Sequence, residues 1–298
     1  MKAKTVNKYL KDKYGYKLYK LALDGGFTCP NRDGTLSSEG CIFCSAGGSG
    51  DFAASRTLSI TEQIEEAKSR VSRKMKQAPS DRKPRYIAYF QAFTNTYGPI
   101  PELERIFLEA INHPDIAILS IATRPDCLGE EVLDLLSRLN EIKPVWIELG
   151  LQTIHEKTAI AINRGYSLSV YDTAMQELLK RHIETIVHVI LGLPGETKQM
   201  MLDTVSYVVR SGADGIKLQL LHVLKGTRLA SDYEAGLFDT LTLPEYLDIL
   251  KSCTDILPEQ MVVHRLTGDG PKKLLVAPMW SADKKKVWNE IKRVLGIE

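Results

Sequence analysis

No apolar run in the 298 residues comes close to the roughly 20 that a membrane-spanning helix needs. The start, Met1-Lys2-Ala3-Lys4, leads into a lysine-rich segment and not into the apolar core of a secretion signal. A cytoplasmic location without a membrane partner is the expectation, and it suits reduced thiols. Low-complexity linkers are absent. Net charge is small too, +2, but it is unevenly placed. Residues 1–20 carry seven Lys against Asp12, residues 68–85 eight Lys/Arg against Asp81, and residues 271–298 seven against Asp283, Glu290 and Glu298. These segments sum to about +17 and leave the remainder near −15. Such segregation suits a polyanion-binding face, and Tyr9, Tyr14, Tyr16 and Tyr19 among the N-terminal lysines can stack on bases. Solvated amphipathic helices account for the same charges equally well.

Cysteine is scarce, five in all, yet three of them stand together as Cys29, Cys41 and Cys44 with spacing C-x11-C-x2-C. Pro and Gly between them suit an exposed loop better than a helix or strand interior. Thiolates gathered on one loop point to metal. A closed structural zinc site wants four ligands, and no histidine or further cysteine lies at a second close spacing. Cys127, after Arg124-Pro125-Asp126, and Cys253, in a helical pattern, read as buried thiols. A cubane iron-sulfur cluster on three cysteines would keep one iron open to an outside molecule.

With 44% apolar and 26% charged residues, the chain can bury a substantial core. Residues 3–13 suit a short basic helix, and residues 16–23 alternate as a strand that runs into the cysteine loop. Beyond the loop, Ser59 and Glu62 form a capping box ahead of Ile64, Ala67, Val71 and Met75, which recur at helical spacing over about five turns. Apolar strand-like runs then alternate with helical ones, the strands falling near 85–90, 116–121, 145–150, 185–192 and 215–221. Six β/α units with continuous apolar strands predict an α/β fold, a partial (β/α)6 TIM-like barrel over residues 1–225, with the site at the C-terminal strand ends. Residues 226–298 change pattern and read as a small α/β C-terminal extension that closes the barrel.

The cysteine loop, with Phe43 just before the last cysteine, resembles that of the radical S-adenosylmethionine (SAM) enzymes. Most of that superfamily has C-x3-C-x2-C, and the longer first gap is shared by the branch of the Elongator catalytic subunit and the YhcC/YtqA family. Arg265-Leu266-Thr267-Gly268-Asp269 and Ala277-Pro278-Met279-Trp280 are similar to that family's C-terminal signature. The resemblance implies a [4Fe-4S] cluster on Cys29, Cys41 and Cys44 and SAM as the second cofactor. It implies SAM contacts from Glu148 and Gln152 in Glu148-Leu149-Gly150-Leu151-Gln152, from Arg164 in Asn163-Arg164-Gly165, and from the Leu193 turn. Gln91 and Asn95 stand where the superfamily usually has Gly-Gly-Glu. Thr123, Arg124 and His188 complete the polar candidates at strand ends. A core histidine satisfied by hydrogen bonding is the plainer account of His188.

The same resemblance implies reductive cleavage of SAM to a 5′-deoxyadenosyl radical. In the Elongator-like branch the substrate is the wobble uridine of tRNA, and the YtqA-type reaction converts carboxymethylaminomethyl-uridine to aminomethyl-uridine. An electron donor such as flavodoxin or ferredoxin, and a later tRNA methyltransferase, are the implied partners. A radical SAM oxidoreductase acting on a small molecule, and a non-catalytic zinc-binding RNA-interaction protein, are the competing readings.

Overall fold

The computed structural model describes residues 1–72, 85–268 and 270–297. Met75 and the last turns expected of the first long helix lie outside the described residues, as do Asp269 and most of the basic stretch 68–85.

In chain order the elements are β1 (Lys4–Thr5), α1 (Val6–Tyr14), β2 (Tyr19–Leu23), α2 (Ile60–Ser72), β3 (Tyr86–Phe90), α3 (Ile100–Ile111) and β4 (Ile116–Thr123). There follow α4 (Glu130–Ile142), β5 (Val145–Gln152), α5 (Glu156–Ala161), α6 (Leu168–Lys180), β6 (Glu184–Leu191), α7 (Lys198–Arg210) and β7 (Gly215–Leu220). The chain ends with β8 (Val223–Leu224), α8 (Arg228–Glu234), α9 (Leu243–Asp255), β9 (Val262–Arg265), β10 (Leu275–Ala277) and α10 (Lys284–Leu295). No helix among the described residues is long and apolar enough to cross a membrane.

Each βα unit forms for a legible reason. Ser59 and Glu62 cap α2 reciprocally, the Ser59 amide donating to Glu62 Oε2 at 2.8 Å and the Glu62 amide to Ser59 Oγ at 3.3 Å. Ile60, Ile64 and Ala67 then share one buried face. All five residues of β3 are buried, as a strand covered by helices on one side and barrel interior on the other must be. Phe90 of β3 meets Phe107 of α3 edge-on, ring centroids 5.2 Å apart.

The main sheet is parallel throughout and has the order β1-β9-β7-β6-β5-β4-β3-β2. The six expected strands, β2 to β7, lie side by side in sequence order and curl into a partial barrel. Beyond β7 the sheet gains two strands: β9, from the C-terminal extension, with Ile216 beside Val263, and β1 beside it, with Thr5 against Val263. The apolar run at Met261-Val262-Val263 announces a strand, but nothing local in it names a partner 47 residues upstream, as Ile216 is from Val263.

Inward positions of the barrel form layers. At its N-terminal end Ile87, Ile118, Trp146 and Ile186 pack with Leu10 of α1, and Tyr9, Tyr14 and Tyr16 cover them. The N-terminal tyrosines are therefore not the base-stacking set that their spacing suggested. Tyr9 lies against Trp146 at 6.5 Å and donates its hydroxyl to Glu184, while Tyr16 receives the Arg85 guanidinium over its ring at 4.6 Å. They cap the end of the barrel opposite the cysteine loop.

Candidate active site at the C-terminal end of the barrel

The cysteine loop crosses the open end of the barrel, and its shape is fixed by side chains that grip its backbone. The Arg32 guanidinium donates to the carbonyls of Cys44 at 2.6 Å and Ser45 at 2.7 Å. Gly40 has φ +76°, and a Cβ there would fall 2.7 Å from Arg32 Nε, so a side chain would displace that clamp. On the other side the segment 162–165 docks on the loop. Asn31 Nδ2 donates to the Asn163 carbonyl at 2.6 Å, Asn163 Nδ2 to the Gly40 carbonyl at 2.7 Å, and the Ile42 amide to the Ile162 carbonyl at 3.2 Å. Gly165, φ +83°, passes so close that a Cβ would sit 2.9 Å from Asn31 Oδ1.

Cys29, Cys41 and Cys44 all line one cavity of about 250 Å³ that runs down into the barrel. Asn31 Nδ2 lies 3.5 Å from Cys41 Sγ. Burial, and after it the neighbouring Cys44, push the Cys41 thiol up to about 12, and burial raises Cys44 also. Thiols so placed ionise readily only when a metal supplies the compensating charge. Three thiols on one cavity leave a structural zinc one ligand short of its usual four, whereas a cubane cluster can take three and keep one iron open. Cys127 and Cys253 are buried and do not line that cavity: Cys127 lies on a second cavity with Pro30, within electrostatic reach of Cys29, and Cys253 lies inside α9.

Gln91, Thr123, Arg124, Glu148, Gln152, Arg164 and His188 line the same cavity as the cysteines. Their hydrogen bonds differ from what the motifs suggest. Gln91 Nε2 holds the Ser49 carbonyl at 2.7 Å, and Thr123 Oγ1 meets Thr96 Oγ1 at 2.5 Å. Arg124 chelates Asp126 through two nitrogens, at 2.9 and 2.6 Å, and donates to the Arg164 carbonyl at 2.9 Å. Arg164 is 1% exposed, and its guanidinium is occupied by the carbonyls of Thr153 and Tyr166, at 2.6 and 2.9 Å. It therefore braces the turn after β5. Asn95 is fully buried and bridges the ends of β3 and β4 through the carbonyls of Phe90 and Ala122, at 3.1 and 2.9 Å. Leu193 packs with Ile42, Ile162 and Leu229 in a small apolar cluster.

Gln152 offers an open acceptor. It has φ +68°, and its Oε1 is buried at the cavity wall without a protein donor. An unmatched buried acceptor costs roughly 1–3 kcal/mol unless a ligand meets it. That observation, with three thiols on the same wall, is the fit of this cavity to a cluster and a polar cosubstrate.

Deeper in the barrel lies a charged network anchored on Glu148, which is 1% exposed. Lys20 of β2 reaches Glu148 Oε1 at 2.5 Å, and Ser120 of β4 donates to the same oxygen at 2.9 Å. Lys217 of β7 and His188 Nε2 of β6 share Oε2, the latter at 2.9 Å, and Lys217 Nζ also reaches the Tyr89 hydroxyl at 3.2 Å. Burial alone would raise the Glu148 carboxyl, but Lys20 and Lys217 outweigh it and hold it well below the usual carboxylate range. Burial, then Lys217, push His188 down to about 4, so its ring is neutral near pH 7 and Nε2 is the donor. Lys20 carries no sequence signal, because it stands in a basic segment that reads as surface. Lys217 has one, an ammonium between Ile216 and Leu218 in an apolar strand.

The folded value for His188, about 4, lies below the unfolded 6.5, so the unfolded chain binds the proton first on acidification. Stability present above pH 6.5 should therefore fall as pH drops toward 4, by roughly 3 kcal/mol at most from this residue. Urea unfolding of His188→Gln over that window should show a flatter pH profile, and an unaltered one would assign the acid sensitivity elsewhere.

A model of the radical SAM superfamily matches residues 29–208, and one of the radical SAM C-terminal domain matches residues 213–296. YtqA of Bacillus subtilis is 45% identical over 291 residues, 98% of this chain and 88% of its own. A tRNA uridine(34) acetyltransferase of Methanocaldococcus jannaschii is 25% identical over 171 residues, 56% of this chain and 31% of its own. Among solved structures, the archaeal Elp3 of Methanocaldococcus infernus with its N-terminus deleted superposes with a TM-score of 0.66 at 16% identity, covering 90% of this chain and 63% of that one. That last likeness is one of fold.

Proposed function

The chain belongs to the radical SAM superfamily, in its Elp3-like branch, and on that premise we propose that it processes the wobble uridine of tRNA, converting a carboxymethylaminomethyl side chain to aminomethyl. It is an enzyme whose cofactors are a [4Fe-4S] cluster and SAM. When bound and reduced, these supply a 5′-deoxyadenosyl radical able to take a hydrogen from an unactivated carbon. In this proposal Cys29, Cys41 and Cys44 hold the cluster, and Arg32, Asn31 and Asn163 keep the loop in place. Gln152 offers its carbonyl oxygen to SAM. The barrel wall excludes water around the reacting carbon.

The observation that carries the RNA reading is at the rim of the cavity. Lys284, at the start of α10, places its ammonium 5.5 Å over the ring of Phe52, and Phe52 lines the cavity mouth. Lys284, Lys285 and Lys286 are exposed, and Lys284 stands over that aromatic face. Phosphate charge plus an aromatic platform is how single-stranded loops of RNA are gripped. The M. jannaschii relative, a tRNA uridine(34) acetyltransferase, supports the same substrate class. A one-electron donor, a flavodoxin or ferredoxin, is required, and the aminomethyl product suits a later tRNA methyltransferase.

Mass spectrometry of tRNA nucleosides from cells with and without the protein tests the reading. Deletion should accumulate carboxymethylaminomethyl-uridine derivatives and deplete aminomethyl ones; identical profiles would remove the assignment. Reversing Lys284, Lys285 and Lys286 to Glu should weaken tRNA binding by about a hundredfold at low salt and flatten its salt dependence.

A further inference from the structure

The charged network in the barrel is unbalanced in a way that its structural role does not explain. Two ammonium groups, Lys20 and Lys217, converge on the single carboxylate of Glu148, and both lie over the Tyr89 ring at 4.7 Å. The remaining close partners, Ser120, His188 and the Tyr89 hydroxyl, bring no negative charge. An ammonium has three donors; Lys217 uses one on Glu148 and one on Tyr89, and Lys20 one on Glu148. Lys217, Glu148, His188 and Tyr89 all line the cavity that carries the cysteines at its mouth. Glu148 is the buried counter-ion of Lys217, while Lys20 is partly open to solvent, so the floor sets two lysines on one carboxylate and leaves a Lys217 donor that no group among the described residues takes up.

We infer that Lys217, with Lys20 backing it through Glu148, forms a carboxylate-binding subsite, and that its ligand is the carboxymethyl end of the substrate's side chain. The inference rests on the wobble-uridine reading for the identity of the ligand, while the subsite itself stands on the geometry of the floor. A carboxylate entering from the cavity would supply the second counter-ion and accept the remaining Lys217 donor. It would also orient the side chain with its charged end down and its carbon-hydrogen bonds toward the mouth. The aminomethyl product has no carboxylate to offer that anchor and, itself cationic, would be disfavoured beside the lysines. Substrate and product would thus be told apart by charge at one point, with both attractive and repulsive terms.

The test compares two anticodon stem-loop RNAs, identical except that one bears carboxymethylaminomethyl-uridine and the other aminomethyl-uridine, binding to the reconstituted protein. Wild type should prefer the carboxylate-bearing loop by at least tenfold, and Lys217→Met should erase that preference. Lys20→Met, at a side chain that is 29% exposed, provides a second variant with less risk to folding. Circular dichroism and iron content report whether each variant is intact. Equal binding of both loops by wild type would overturn the subsite and leave the tRNA reading standing. An equal loss on both loops in the variants would assign the lysines to backbone phosphate, and would also overturn it. Failure to bind either loop would remove the tRNA reading, and the assigned ligand with it.

Discussion

Replacing Cys29, Cys41 or Cys44 by alanine, one at a time, is expected to abolish cluster assembly and lower 5′-deoxyadenosine formation by more than about a hundredfold. Cys127→Ala and Cys253→Ser should leave both within about twofold. Substitutions that only perturb the surroundings of a metal ligand already cost roughly 10- to 100-fold, and loss of a ligand exceeds that. The reason for the contrast is positional. Three sulfurs line one cavity at the barrel mouth, each on a loop held by Arg32 or Asn163, and no spare thiol faces it. Cys127 opens on the other cavity, and burial pushes its thiol up to about 12. Iron and sulfide per chain, with the brown colour of the anaerobic protein, give the assembly readout. Equal damage from Cys127→Ala would show that the ligand set has been misassigned.

Glu148→Gln should be the most destabilising single change in the barrel interior, by about 3–5 kcal/mol, because it leaves the buried Lys217, and with it the partly exposed Lys20, without their carboxylate. Lys217→Met should cost less, since Glu148 retains Lys20, Ser120 and His188. Combining Glu148→Gln with Lys217→Met should recover part of the loss, the coupling between contacting charges being of order 1–3 kcal/mol. Urea unfolding of the cluster-free proteins under reducing conditions measures all three. A cost below about 1 kcal/mol for Glu148→Gln would mean that the ammonium groups find other compensation, and the account of the network would be wrong.

Much of the architecture is legible without coordinates. Strands appear as short apolar runs, helices as amphipathic stretches with recognisable starts, such as the Ser59–Glu62 box. The cysteine loop is visible as spacing alone. Glu148 draws notice because a carboxylate between Ile147 and Leu149 needs a partner or a site. Its partners are another matter. Lys20 comes from 128 residues away in sequence and Lys217 from 69, and neither distance leaves a mark in a local pattern. Arg164 and Asn95 show another side of this: motif position says nothing of their protein partners, which are the carbonyls of Thr153 and Tyr166 in one case and of Phe90 and Ala122 in the other.

By itself, then, the order of residues determined the periodic elements, the parallel six-strand core and the thiol trio, since each depends on chemistry repeated within a few positions. Tertiary structure alone decided that β9 and β1 extend the sheet past β7, and that the tyrosines of the N-terminal segment cap the far end of the barrel. It also decided that two lysines share one buried glutamate beneath the cysteines. Charge pairing acts through space, and a folded barrel brings together inward side chains that the chain itself keeps far apart.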